Sequence, residues 1–250
     1  MKKILVSTIL VLMSVLYAET RIMPLGDSLT YDDAYNPKPD RLKASYRSFL
    51  WYKLQNAGYS VNFVGSLNTG WDLRPPFDGD NEGHPGWDTY DIAGHVYNFL
   101  KANPADIVLL MAGANDWNTK VDGINSTLNE IDRYERNYHH PIKVILARIP
   151  NRQHHSEEWM STFNKNLQTL ANRRIANGDD IYVVDMEYGA GIDYSHDFQD
   201  RTHLNDNGYE KLANVWYDAL KRFIYPSDDM LDLYMNGVLP SITKESNQTQ

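Results

Sequence analysis

The sequence predicts a three-layer α/β/α sandwich built on a mostly parallel sheet of five strands. Short apolar runs alternate with segments of helical period along most of the chain, and such alternation implies parallel strands joined by crossover helices. The run Ile107-Val108-Leu109-Leu110-Met111 is apolar at every position, as a strand covered on both faces must be. At 250 residues, 42% hydrophobic and 23% charged, the chain has the composition of one soluble globular domain.

The first strand is Arg21-Ile22-Met23-Pro24-Leu25, and it runs into the turn Gly26-Asp27-Ser28. Residues 31–43, with Pro37 and Pro39, read as a loop over the end of that strand. A helix follows over residues 45–58, its apolar positions Phe49, Leu50, Leu54 and Ala57 lying between a capping Ser45 and a terminating Gly58. Val61-Asn62-Phe63-Val64 is the second strand and ends at Gly65. Residues 66–87 hold many Gly, Pro, Asp and Asn residues together with Trp71, Phe77 and Trp87, which reads as a long functional loop. Asp88 or Thr89 then caps a helix carrying Ile92, Val96, Phe99 and Leu100, with His95 along it as a structural residue. The third strand, residues 105–112, ends at Gly113-Ala114-Asn115-Asp116. A helix with Ile124, Leu128 and Ile131, a strand over 142–147, a helix with Trp159, Phe163, Leu167 and Leu170, and a strand over 181–184 complete the sheet. The last helix starts near Asp206 and carries Tyr209, Leu212, Ala213, Trp216 and Leu220 on one face.

The two ends read differently from this domain, which spans residues 19–225. Lys2 and Lys3 precede an apolar run from Ile4 to Leu16 and then Tyr17-Ala18, the pattern of a secretory signal peptide over residues 1–18. With no second run of roughly 20 apolar residues, no integral membrane segment is expected once the signal is removed, and the expected location is periplasmic or secreted. Residues 226–250 read as a polar tail.

Composition also excludes several kinds of chemistry. Without a single cysteine there is no disulfide, thiolate metal site or cysteine nucleophile. A net charge of −9 argues against nucleic acid and anionic membranes as partners and favours a substrate held by local contacts. The pairs His139-His140 and His154-His155 lack a third ligand at suggestive spacing and read as polar turns, so neither a metal nor another cofactor is expected.

In an open parallel sheet the loops after the strands converge on one edge, where ligands bind. Ser28 follows the first strand, Gly86 lies in the loop after the second, Asn115 follows the third, and Asp200-Arg201-Thr202-His203 lies beyond the fifth. Asp200 and His203, three apart, can share one turn, leaving the far imidazole nitrogen free to take a proton from a serine. The turn at Ser28 lacks the second glycine of Gly-x-Ser-x-Gly, so it is not the nucleophile elbow of α/β-hydrolases.

These four blocks resemble those of the SGNH, or GDSL, hydrolases. The resemblance covers nearly all of residues 19–225 and implies a flavodoxin-like SGNH hydrolase fold. It implies Ser28 as nucleophile, His203 as base and Asp200 as its orienter. The implied oxyanion hole comprises the backbone N–H groups of Ser28 and Gly86 and the side-chain amide of Asn115. Gly65 also follows the second strand, but Gly86 precedes a helix, where backbone N–H groups are unpaired. Asp27 and Asp116 then serve as buried hydrogen-bonding partners.

Phe63-Val64-Gly65-Ser66 together with Glu82-Gly83-His84-Pro85-Gly86-Trp87 is similar more particularly to carbohydrate esterase family 3, the acetyl xylan esterase branch. The 31–43 loop is longer and richer in proline than that branch implies. The expected activity is an exported serine esterase that deacetylates O-acetylated saccharides. Trp87, Trp117 and Tyr31 are candidate substrate-binding aromatics, with Trp71 and Tyr35 nearby in the same class of loop. Two alternatives stand beside this reading: a periplasmic thioesterase or lysophospholipase of the same fold, and a non-catalytic carbohydrate-binding or envelope protein.

Overall fold

The computed structural model describes residues 19–226; the signal-peptide and tail expectations lie outside these residues, except that Pro226 forms an isolated antiparallel bridge with Tyr59. Its strands are β1 (Thr20–Gly26), β2 (Val61–Phe63), β3 (Leu67–Asn68), β4 (Asp80–Gly83), β5 (Ile107–Met111), β6 (Lys143–Arg148) and β7 (Ile181–Asp185). Its helices are α1 (Ser28–Tyr31), α2 (Ser45–Asn56), α3 (Thr89–Ala102), α4 (Asp122–Tyr138), α5 (Glu158–Ala176) and α6 (Asp206–Leu220).

The five expected strands all lie parallel in one sheet, with β1 central. On one side β1 pairs with β5, in register from Ile22 opposite Ile107 to Gly26 opposite Met111, and β6 and β7 follow outward. On its other side β1 pairs first with β2, at Thr20 to Ile22, and then with β4, at Leu25 and Gly26. The chain therefore changes winding direction at β1, and the crevice beyond its carboxyl end is where such a sheet binds ligands. With right-handed crossovers, α2 covers one face, joined there by α6, and α3 to α5 cover the other. Tyr46 and Trp216, both fully buried, meet between α2 and α6 with ring centroids 5.8 Å apart.

Among the described residues there are seven strands rather than five, because the 66–87 segment contains β3 and β4. Strand β4 reads Asp-Asn-Glu-Gly, and no apolar alternation marks it. Its buried polar side chains are paired instead of being replaced by apolar ones. Glu82 accepts from Ser66 N–H at 2.6 Å and Ser66 Oγ at 2.9 Å and lies 2.9 Å from His84 Nε2, while Asn81 donates to Gly79 O and accepts from Gly83 N–H.

The start of α2 also differs from expectation. Ala44 takes the cap position with no side-chain bond, and Ser45 has φ +52° and donates its Oγ to Leu29 O at 2.5 Å. That serine ties α2 to α1 instead of capping its own helix. The cap of α3 is Asp88, which closes a capping box with Asp91.

Buried Arg47 fastens the loops over β1 to the helical layer. Its guanidinium donates to the carbonyls of Thr30, Tyr31, Lys43 and Gly79 and to Thr69 Oγ1. Burial pulls its pKa down to about 10.

Candidate active site

Strand β1 delivers Ser28 to the switch point, and Asp27 turns the chain there. The Asp27 side chain accepts from Leu29 N–H at 2.9 Å, capping α1 and leaving Ser28 as its first residue. The carboxyl is buried, with Oδ2 unpartnered, and burial raises its pKa to about 7 against the backbone bonds from Leu29 and Ala114. Asp116 is held in a comparable role, accepting from Thr89 N–H at 2.9 Å and Thr89 Oγ1 at 2.6 Å.

Ser28 is 7% exposed, and its Oγ lies 2.9 Å from His203 Nε2. The other imidazole nitrogen, Nδ1, stands 3.0 and 2.9 Å from the two carboxylate oxygens of Asp200. Asp200 and His203 share a turn because Asp200 Oδ1 also accepts the N–H groups of Thr202 at 2.8 Å and His203 at 2.7 Å. Burial raises the Asp200 pKa, but the N–H groups of Tyr35, His203 and Thr202 and the imidazole outweigh it, and the net shift is downward. The carboxylate beside the imidazole is thus held in its charged form.

The bond from Tyr35 N–H to Asp200 Oδ2, 3.0 Å long, joins the 31–43 loop to the loop that carries Asp200 and His203. Composition placed that loop near the end of β1, yet no residue type announces a backbone donor aimed at a carboxylate 165 positions away.

Asn115 meets the 84–88 turn at the same edge, its Nδ2 donating to Trp87 O at 2.8 Å. Only one of its two amide hydrogens is used by that bond. The turn closes with Trp87 N–H on His84 O, Pro85 and Gly86 occupying the centre, and Gly86 has φ +81° as the third position of a type II turn requires. Gly65 has a different reason to be glycine: a Cβ there would lie 2.2 Å from Asn81 O, so it permits β4 to approach.

The candidate aromatics occupy unlike surroundings. Trp87 is half-buried, with its ring stacked on His84 at 4.0 Å and tilted against His95 at 4.6 Å. Tyr31 is half-buried with the Lys43 ammonium 4.8 Å from its ring centroid. Trp117 is 62% exposed two residues after Asn115. Trp71 and Tyr35 are exposed as well. His140 approaches Ala105 O and Asp106, and His155 stacks on Tyr188 and lies 3.3 Å from Glu187. Among the described residues no cluster of three or more potential metal ligands occurs, and no helix is long and apolar enough to cross a membrane.

Residues 25–211 match the model of the GDSL-like lipase/acylhydrolase family, a span that includes Ser28, Gly86, Asn115, Asp200 and His203. The chain belongs to that family. The family 3 carbohydrate esterase of Clostridium thermocellum is 27% identical, with a TM-score of 0.67 over 83% of this chain and 100% of that one. A carbohydrate esterase family 3 structure from Talaromyces cellulolyticus is also 27% identical, with a TM-score of 0.66 over 81% of this chain and 97% of that one. The resemblance to carbohydrate esterase family 3 read from the sequence agrees with these likenesses. A multidomain esterase of Ruminococcus flavefaciens is 28% identical over an alignment of 237 positions that covers 83% of this chain and 29% of that relative. The chain therefore spans less than a third of that relative's length.

Proposed function

We propose that this member of the GDSL-like family is a serine esterase that removes acetyl groups from O-acetylated saccharides. The observation that carries the reading is the unbroken line from Asp200 through His203 to Ser28, with contacts of 2.9 to 3.0 Å. In the proposed reaction His203 Nε2 takes the Ser28 proton as Oγ attacks the acetyl carbonyl carbon. The Ser28 and Gly86 N–H groups and the Asn115 amide bind the resulting oxyanion. The protonated imidazole then gives its proton to the departing saccharide oxygen, leaving an acetyl-serine. Water, deprotonated by the same nitrogen, releases acetate and restores Ser28. Asp200 holds the imidazole tautomer and its transient charge throughout.

The acetyl-saccharide specificity rests on likeness to carbohydrate esterases and on the exposed Trp117 beside Asn115. A panel of p-nitrophenyl esters from acetate to long acyl chains, run beside acetylated xylan, tests it. Best turnover on acetate with release of acetate from the polymer is expected. Turnover rising with chain length would favour the thioesterase or lysophospholipase reading, and no turnover on any ester would favour the non-catalytic one.

Export is part of the same proposal, on the strength of the charged start and short apolar run of residues 1–18. Intact mass of protein recovered from periplasm or medium is expected to begin near Glu19. Full-length chain confined to the membrane fraction would mean an uncleaved anchor.

A further inference from the structure

Arg152 is 4% exposed, yet it carries a full charge beside the proposed catalytic groups. Its guanidinium carbon lies 3.8 Å from the centroid of the Trp117 ring, and its Nη2 donates to Ala114 O at 3.2 Å. Ala114 is the residue before Asn115 in the chain. The next residue along, Gln153, donates its N–H to Arg201 O at 2.9 Å, and Arg201 in turn reaches Glu157, whose carboxylate is 3.9 Å from Arg152 Nη1. One buried side chain thus sits between the loop carrying Asn115 and Trp117 and the loop carrying Asp200 and His203.

Trp117 itself is held in a costly pose. Its φ is +54°, unusual for a bulky residue, and such strain persists only where the surroundings over-determine it. Asp116 before it is anchored on Thr89, and Asn118 after it donates to Asp116 O at 2.6 Å. The indole is nevertheless 62% exposed, with Trp159 6.1 Å away at a tilt of 34°. An aromatic ring backed by a buried cation and strained into solvent is a surface prepared for something flat and apolar, and the C–H face of a pyranose ring has that character.

We propose that Arg152 is a positioning residue that holds Trp117 as the stacking platform for the saccharide portion of the ester. This rests on the acetyl-saccharide reading of the site. Arg152 acts through Trp117, contributing its planar face and the hook on Ala114, and it does not touch the reacting atoms. Lysine keeps the charge but has neither the plane nor the fork, so Arg152→Lys is the informative change.

Two measurements test this. In the Ser28→Ala background, binding of acetylated xylotriose by calorimetry is expected to weaken by about tenfold in Trp117→Ala and several-fold in Arg152→Lys, in line with losing a ring contact backed by a cation. Adding Arg152→Lys to Trp117→Ala is expected to weaken binding no further. With Ser28 intact, both single variants are expected to raise KM for acetylated xylotriose by a larger factor than they change KM for ethyl acetate, which has no ring to stack. Thermal melting of each variant accompanies these measurements.

Additive losses in the double variant, or equal losses on both esters, would overturn the proposal by making Arg152 a purely structural residue. Unchanged affinity in Trp117→Ala, or no binding of acetylated xylotriose to Ser28→Ala, would overturn the platform. Wild-type protein that cleaves neither ester, while Ser28→Ala binds the sugar through Trp117, would overturn the esterase reading and keep the platform.

Discussion

The side-chain amide of Asn115 donates to the Trp87 carbonyl at 2.8 Å, so the loop after β5 and the turn after β4 are joined at the point proposed for the oxyanion. The bond sets the plane of the amide. The second N–H of that amide is thereby fixed in direction, which the proposed oxyanion role requires. Asn115→Ala is expected to lower kcat on an acetyl ester by about 10²–10³, the typical loss for one oxyanion donor. Its far-ultraviolet circular dichroism should match wild type.

The two glycines separate by mechanism. Gly86→Val forces a β-branched residue to φ +81° and shifts the N–H proposed to bind the oxyanion, so turnover should fall at least as far as in Asn115→Ala. Gly65→Ala places a methyl against the Asn81 backbone, so the melting temperature should fall while the folded fraction keeps most of its turnover. A well-folded Gly65→Ala protein without activity, beside an active Gly86→Val, would move the oxyanion hole to the other glycine.

Ser28→Ala and His203→Ala are each expected to abolish hydrolysis, because nucleophile and base act as a unit and their losses do not add. Asp200→Asn should retain more activity than either, since the imidazole stays although its tautomer is no longer enforced. Turnover above roughly a hundredth of wild type in pure Ser28→Ala would sink the mechanism.

Asp27 makes stability depend on pH. Its carboxyl titrates at about 7 in the fold and near 3.8 when unfolded, so the folded state binds the extra proton between those values. Stability from this group is fully present below about pH 4, declines as pH rises toward 7, and is level above, a change of up to about 4 kcal/mol. Asp27→Asn is expected to remove that decline. Urea unfolding of both proteins from pH 4 to 8 measures the difference, and parallel curves would show that Asp27 does not carry the effect.

Arg47→Met should be among the most damaging substitutions away from the site. It removes the Arg47 donor from the carbonyls of Thr30, Tyr31 and Lys43, and from that of Gly79, which keeps its bonds from Asn81 and Thr69. Each buried carbonyl left without a partner costs about 1–3 kcal/mol, and each kcal/mol lowers the melting temperature by roughly 2–4 °C in a domain of this size.

Much of this molecule is determined by the sequence alone. Five parallel strands and their helices are legible because buried strands such as Ile107–Met111 are apolar throughout and the helices carry one apolar face. That Ser28, Asn115, Asp200 and His203 lie at one edge is legible because the loops after parallel strands converge there. What tertiary structure decided is polar and long-range. Strand β4 escapes periodicity because Asn81 and Glu82 are buried by pairing, which depends on partners such as Ser66 that come near only in the fold. Ser45 looks like a cap until Leu29 O draws its hydroxyl away. Tyr35 bonds Asp200, and Arg152 lies beneath Trp117, through a backbone N–H and a planar cation whose partners are selected by position in space. Hydrophobic patterning records which face of each element is buried, but a hydrogen bond records only that two groups have met, and that meeting is decided when the sheet closes.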